Sequence, residues 1–366
     1  MLIGVMLAAF NLMTFWQGRA TWMISNDFRL PYAAALLGMH SGWSHLYDLS
    51  FQRAFFSQRG FAWSPFANPP PLAWLAIPFT ALPFKSALVI WTCVLVAAVG
   101  LCGYLAAPSR GIARWAFWAL GLGLFPIGFG VAIGQVVPLI FAAVAASWWL
   151  LKRGLHTYAG LCLSLLVLKP QLALLVPAAL LVAGWWRTAL VCSGAAGAMA
   201  AISAWQLGPT GIRYYLDALV AMSGSETFSR FALAGHFQGG LRLGLQVAVV
   251  LATCLIARRG RAPGPEIPIA AGLFGSILIT PYTSGQDYTM LVLGAWLIVR
   301  AGPPPAVLML LAMAYIPADI EGWVGPSVVI LTELMVLASL FWVPRRDLLR
   351  PTPFPSAPGS APPGPA

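Results

Sequence analysis

Long runs without a charge alternate with short polar breaks along this chain. Residues 86–109, 115–151, 188–212, 267–286, 301–318 and 334–344 contain no Asp, Glu, Lys or Arg. A membrane-spanning helix needs roughly 20 mostly apolar residues, and several of these runs meet that length. The run 115–151 is long enough for two short spans with a turn at Gly134. Nowhere does the pattern alternate residue by residue, as a transmembrane barrel strand would. The pattern predicts an all-α polytopic membrane protein.

The polar breaks sort by charge. Lys152–Arg153, Arg187, Arg258–Arg259–Arg261, Arg300 and Arg345–Arg346–Arg350 are the strongest basic clusters, and basic loops stay on the cytoplasmic side. The interleaved breaks then face the other side: the Gly134–Gln135 turn, the Lys169–Pro170 break, 206–235, 282–287 and 319–325. Arg110 and Arg114 are cytoplasmic by the same rule, which leaves 25–68 external. Residues 69–83 (PPPLAWLAIPFTALP) are apolar but hold five prolines. A half-inserted helix here gives about 12 crossings with both ends cytoplasmic; a full crossing is the alternative. Two external segments read as amphipathic helices. One is SHLYDLSFQRAFFSQRGF, whose Leu46, Leu49, Phe51, Phe55 and Phe56 suggest a helix lying on the bilayer. The other is GIRYYLDALVAM within 206–235. The membrane unit is expected over 1–345, followed by a disordered, Pro-rich cytoplasmic tail over 346–366. No basic residue precedes the first apolar segment, so residues 1–16 read as a first helix and not as a signal peptide.

Composition agrees. Hydrophobic residues make up 60% of the 366 and charged ones only 8%, against about 25% charged in a soluble chain. The net charge of +11 is spread between apolar runs with no basic face, so no nucleic-acid partner is expected. Cys93, Cys102, Cys162, Cys192 and Cys254 all lie in apolar segments and behave as small hydrophobes. His40, His45, His156 and His236 do not fall at metal-ligand spacing. No dinucleotide fingerprint, P-loop, HExxH or GxSxG occurs. Neither a metal nor a cofactor is expected.

A few polar residues stand out against this background. Asp27, the first acid, follows the first apolar segment in SNDFRLPY. An aspartate beside a span can take the proton of an attacking hydroxyl; the same residue can cap a helix. Lys169 lies between two apolar runs in LSLLVLKPQLALLVP. A lysine at that depth is costly, roughly 2.5–3.5 kcal/mol, and Pro170 disfavours helix at the residue before it. The chain should break there and present the ammonium to a polar cavity, where a phosphate leaving group suits it. Snorkelling to the interface is the plainer reading. Gln135 can bind a sugar hydroxyl or bridge two helices. Asp287 and Tyr288, after TPYTSGQ, are candidates for sugar or acceptor contact. Glu333 is the one carboxylate well inside an expected span, with a packing role as its plainer reading. Arg29, Arg213 and Arg230 are external cations able to meet a lipid phosphate.

DFRLPYAAALLGMHSGWSHLYDL resembles the first loop of the glycosyltransferase family 87 proteins. FAWSPFANPPPLAWLAIPFTALPFKSALVIW resembles that family's Pro-Pro-Leu block. GQVVPLIFAAV and AGLCLSLLVLKPQLALLVPAALLVAGWWRTAL resemble its Gly-Gln and Lys-Pro-Gln blocks, and TPYTSGQDYTMLVL its late Pro-Tyr…Asp-Tyr block. The blocks span most of residues 25–300 in the family's order. The resemblance implies a GT-C fold, a multi-span membrane transferase that takes a sugar from a polyprenyl-phosphate donor on the external face. Characterised relatives transfer mannose or arabinose to envelope glycolipids and polysaccharides. The family's presumed base falls on Asp27. Asp287 stands where some members carry a histidine before the tyrosine, so no histidine role carries over. The N-terminus ahead of Asp27 is also short for the pattern.

Together these readings predict an inverting glycosyltransferase of the inner membrane with its site facing the exterior. Asp27 would be the base, Lys169 and Arg29 would meet the donor phosphate, and Gln135, Asp287 and Tyr288 would contact sugar or acceptor. The sugar would be a mannose-like hexose or a pentose, and the acceptor a lipid or glycan. Two rivals are a transporter or flippase of lipid-linked or small-molecule substrates, which usually shows inverted repeats, and a non-catalytic membrane scaffold.

Overall fold

The structure, a computed structural model, describes residues 2–24, 26–109, 111–223, 231–262, 264–319 and 325–343. Arg110, Arg230 and everything from 344 onwards, including Arg345, Arg346, Arg350 and the Pro-rich tail, lie outside these residues. Among the described residues every regular element is helical. In chain order they are α1 (Leu2–Ile24), α2 (Arg29–Ser41), α3 (Leu49–Gln58), α4 (Pro70–Ala76), α5 (Phe84–Ala106), α6 (Gly111–Leu122), α7 (Phe125–Ala132) and α8 (Val137–Leu151). Then come α9 (His156–Leu163), α10 (Leu175–Val182), α11 (Trp186–Ser223), α12 (Gly239–Arg259), α13 (Glu266–Ile279), α14 (Thr289–Ala301), α15 (Pro305–Asp319) and α16 (Pro326–Ser339). Short 3-10 turns join several of them.

The charge-free runs become helices, but the number of full-length spans is smaller than the hydropathy pattern predicts. Among the described residues, α5, α11 and α12 are each long and apolar enough to cross a membrane unaided, and α6 with α7 makes a fourth candidate bent by 62°. The remaining apolar helices, such as α8, α13, α15 and α16, are shorter. The structure therefore supports a helical membrane protein without reaching about 12 complete crossings. The apolar sides of these helices face outward: Val89, Leu190, Leu251, Met309 and Leu331 are all more than half exposed, as lipid-facing side chains should be. Residues 69–83 form α4 and a 3-10 turn at Ile77–Ala81. That is about 20 Å of helix, short of the ~30 Å hydrocarbon core.

Chain direction gives the bundle two distinct ends. α8 leads from the Gln135 turn to Lys152, and α13 runs from Glu266 toward Asp287. Lys152 Nζ pairs with Glu266 Oε1 at 2.9 Å, which puts the start of α13 and the end of α8 together. Thr188, next to Arg187, donates to His156 O at 3.1 Å and joins the same end. Arg300 at the end of α14 donates from Nε to Ala106 O (2.7 Å) and from Nη2 to Ala107 O (2.6 Å), satisfying carbonyls that the α5 terminus leaves open. Arg114 likewise donates to Tyr104 O. Among the described residues, the basic clusters at Lys152–Arg153, Arg187, Arg258–Arg259–Arg261 and Arg300, with Arg114, thus gather at one end. Asp27, Gln135 and 282–287 lie at the other.

The two polar segments at that second end are folded onto each other. In α3, Asp48 accepts from the N–H groups of Ser50 (3.0 Å) and Phe51 (3.1 Å) as an N-cap. The expectation of an amphipathic helix on the bilayer needs correction. Leu46, Phe55 and Phe56 are buried in the protein, leaving Phe51 as the outward aromatic. The cause is Gln52, which is buried and donates to Leu46 O (2.7 Å) and Phe66 O (3.1 Å) while accepting from Phe66 N (3.0 Å). It fastens α3 to the returning chain, so its apolar face meets that chain. In α11 the helix breaks at Gly208, whose φ of +64° precedes Pro209. The part beyond the break is the expected amphipathic segment, helical through Ser223. Its Tyr215 ring lies 4.5 Å from Tyr47, while Ile212, Leu216 and Val220 stay exposed.

Candidate active site

Asp27 is placed by its neighbours in sequence. Asn26 Nδ2 donates to Ala132 O (3.1 Å), the Asp27 N–H donates to Ile133 O (2.6 Å), and Trp91 Nε1 donates to Gly134 O (2.9 Å). Phe28 is fully buried and stacks on Trp91 with centroids 4.8 Å apart. These contacts hold the 26–28 segment against the turn between α7 and α8. Gly134 has φ +71°, and a Cβ there would run into Asn26 Oδ1. Only glycine permits this approach. The next residue, Gln135, then donates from Nε2 to Asp27 Oδ2 at 2.5 Å.

Lys169 sits at the break the sequence predicts. It follows a 3-10 turn at Ser164–Leu168 and has extended backbone, φ −155° and ψ 77°, as the residue before a proline should. Its ammonium is buried and lies 2.5 Å from Asp287 Oδ1. Asp287 is part of the 3-10 turn Gly285–Tyr288. Its Oδ2 accepts from the Ser284 N–H at 3.2 Å in a reciprocal cap with the Ser284 side chain. Both carboxylate oxygens are therefore engaged, which offsets the cost of burying the pair.

Asp27, Gln135 and Lys169 line one cavity of about 200 Å³ with Asn68, Gln171, Tyr282, Ser284 and Gln286. Asp27 remains 30% exposed toward it. Burial pushes the Asp27 carboxyl above the usual carboxylate range, opposed by the Gln135 hydrogen bond and the charge of Arg29. Burial, reinforced by Asp287, pushes the Tyr282 phenol up to about 12, so it stays protonated. Its oxygen accepts from Gln171 Nε2 at 3.1 Å. The cavity therefore combines one carboxylate, one cation and several neutral hydrogen-bonding groups.

The other expected residues are placed differently. Arg29 lies 3.6 Å from Asp27, but its guanidinium donates from Nε to Ala62 O (2.8 Å) and from Nη1 to Asn26 O (2.7 Å). It does not line the cavity. Asp287 reaches the cavity through Lys169. Tyr288 is turned away: successive residues of a 3-10 turn point about a third of a revolution apart. It lines a separate, mainly apolar cavity of about 90 Å³ with Phe274, Tyr315 and Glu333. Arg213 is exposed on α11. Asn68, Gln171, Tyr282 and Gln286 are cavity residues that sequence reasoning did not select. The only signal for them was position, since each stands within a few residues of a selected proline, lysine or aspartate. Among the described residues no group of three or more His, Cys, Asp or Glu is placed to hold a metal ion.

The family model of glycosyltransferase family 87 matches residues 66–281, more than half of the chain. The matched stretch contains Gln135 and Lys169 and lies between Asp27 and Asp287. No curated protein and no solved structure matches the chain.

Proposed function

Because the chain belongs to glycosyltransferase family 87, a family of membrane-bound glycosyltransferases, we propose that it transfers one sugar from a polyprenyl-phosphate donor to an envelope lipid or glycan by a single inverting displacement. The observation that carries this reading is the shared cavity. It holds a carboxylate with a raised pKa at one side and a buried ammonium at the other.

In this mechanism an acceptor hydroxyl lies at Asp27. As its oxygen attacks the anomeric carbon, its proton passes to an Asp27 carboxylate oxygen. The bond between that carbon and the phosphate oxygen breaks, and polyprenyl phosphate leaves with the electron pair. The negative charge that grows on the leaving oxygen is met by Lys169. A base is most effective when its pKa lies nearer the working pH, which is the direction in which burial moves Asp27. Gln135 orients the carboxylate by its hydrogen bond. Arg29 steadies the same carboxylate electrostatically and keeps the 26–29 turn closed, a role its carbonyl contacts favour over binding phosphate directly. Asp287 holds Lys169 in place. Asn68, Gln171, Tyr282 and Gln286 offer the neutral donors and acceptors that sugar hydroxyls require.

The site end faces the exterior of the inner membrane in this reading, because the basic clusters gather at the opposite end. Nucleotide sugars are not supplied there, and the sequence carries neither a P-loop nor a dinucleotide fingerprint. The crossings number about 12 if α6 with α7 makes one crossing, each of the other short apolar helices makes its own and α4 stays half-inserted. The test is purified protein in lipid with a membrane-extract acceptor, offered labelled polyprenyl-phosphate mannose, polyprenyl-phosphate arabinose or the corresponding nucleotide sugars. Incorporation from a lipid donor alone supports the reading. Direct incorporation from a nucleotide sugar, with no lipid-linked intermediate, defeats it.

A further inference from the structure

A second feature shares no residue with the Asp27 cavity, reaches the basic end of the bundle and takes no part in the proposed transfer. An apolar groove of about 380 Å³ runs between α12 and α16, from Leu233 and Phe237 past Leu245, Val249 and Ala252 to Leu337 and Phe341. α12 rises about 20 Å between Leu245 and Arg258 at ~1.5 Å per residue. One leaflet of hydrocarbon is about 15 Å deep; the groove lining on α12, Leu245 to Ala252, covers about 10 Å of it, and Leu255 carries the line on to the arginines. At its end stand Arg258, Arg259 and Arg261, which line an open pocket of about 480 Å³ with Leu255. The two features are joined by a direct contact, for the Arg259 guanidinium lies 5.5 Å from the centre of the Phe341 ring. That side chain is exposed, and its guanidinium reaches over the groove's aromatic end.

We propose that this groove and its arginines bind one anionic glycerophospholipid, its acyl chains along α12 and α16 and its phosphate against Arg258 and Arg259. Charge complementarity selects the occupant. Three guanidinium groups within four residues favour a headgroup with net negative charge, and the fork of an arginine matches a phosphate bidentately. Basic groups on the lipid-facing end of a helix are a recognised form of anionic-lipid recognition. Generic positive-inside charge would explain the arginines but not an apolar groove whose Phe341 end lies beside Arg259.

The full chain, purified in mild detergent, should be exchanged into mixed micelles of phosphatidylglycerol or phosphatidylcholine, and retained lipid counted by native mass spectrometry. Phosphatidylglycerol should be kept at about one molecule per chain and phosphatidylcholine washed away. Arg258→Gln/Arg259→Gln should lower phosphatidylglycerol retention about tenfold or more, the scale of a lost charge-assisted contact. Arg153→Gln/Arg187→Gln, which removes equal charge at the same end but away from the groove, should leave it unchanged. Ala252→Phe, which fills the groove with the arginines intact, should also reduce it. Equal losses in the two arginine pairs would mean diffuse surface attraction and overturn the site. Retention of both lipids alike would do the same. If lipid is retained only after residues 351–366 are removed, the groove belongs to the chain's own tail and the proposal fails. Each of these results is independent of whether sugar transfer is observed.

Discussion

Gln135 and Asp27 meet side chain to side chain across 108 residues of sequence, with the Gln135 amide donating to the Asp27 carboxylate. The contact exists because Gly134 lets the α7–α8 turn close onto Asn26. It makes Gln135 a residue that acts on the proposed base, where its isolated position in an apolar run suggested a sugar ligand. Five outcomes follow from this arrangement and its surroundings.

Asp27→Asn keeps the size of the side chain and removes its basicity. Turnover should fall by about 10²–10⁴-fold, while insertion and thermal midpoint stay near wild type. Donor-dependent transfer and size-exclusion behaviour measure the two. Turnover within a few-fold of wild type would remove Asp27 as the base.

The pH profile should separate Gln135 from a ligand-binding role. With Asp27 as the proposed base, transfer needs it ionised, so activity should be lost as pH falls through its pKa. That pKa is raised by burial, which places the acid limb above the ~3.9 of an ordinary aspartate. The Gln135 hydrogen bond favours the ionised form and holds the value down. In Gln135→Leu the carboxyl should bind its proton more readily, and the acid limb should move to higher pH. An unshifted limb with a raised KM would return Gln135 to sugar binding.

Lys169→Gln and Asp287→Asn each leave a buried charge without its partner. Each should lower stability by about 3–5 kcal/mol, read as a reduced thermal midpoint in lipid. The double variant removes both charges and should recover a large part of that loss. Additive losses would show that the ion pair is not what holds the segments together. Where Lys169→Gln protein survives, its use of the donor should weaken more than its use of the acceptor.

Gly134→Ala tests the backbone that brings the site together. The positive φ and the Asn26 contact both oppose a Cβ, so the variant should lose at least about 1 kcal/mol of stability. It should also lose turnover, because Asn26 and Asp27 must shift together. Wild-type activity with full stability would contradict the close approach.

Reporter fusions check the assignment of ends. Fusions after Lys152, Arg187 and Arg261 should read cytoplasmic, and fusions within 40–60 and 215–223 external. An external signal at Arg261 would put the Asp27 cavity on the cytoplasmic face, where the donor argument no longer holds.

The sequence by itself determined the solvent of this protein. Runs of uncharged residues at 8% overall charge can only be buried in lipid, and lipid demands helices because no water is present to satisfy the backbone. It also marked Asp27 and Lys169, because an isolated charge amid apolar sequence is costly and stands out for that reason. The Lys169 break was legible for a local cause, the steric effect of Pro170. What answers those charges was not legible. Lys169 finds Asp287 across 118 residues and Asp27 finds Gln135 across 108, and such pairings depend on how helices pack, which no short-range pattern records. The same holds for Tyr288, which the 3-10 turn carries away from the cavity that its neighbour Asp287 serves. It holds also for α3, whose apolar face Gln52 draws into the protein. Helix number was read less well than helix type. Hydropathy measures the length of an apolar run, whereas Gly208, the bend between α6 and α7 and the break at Lys169 decide in three dimensions how much of each run is one straight span.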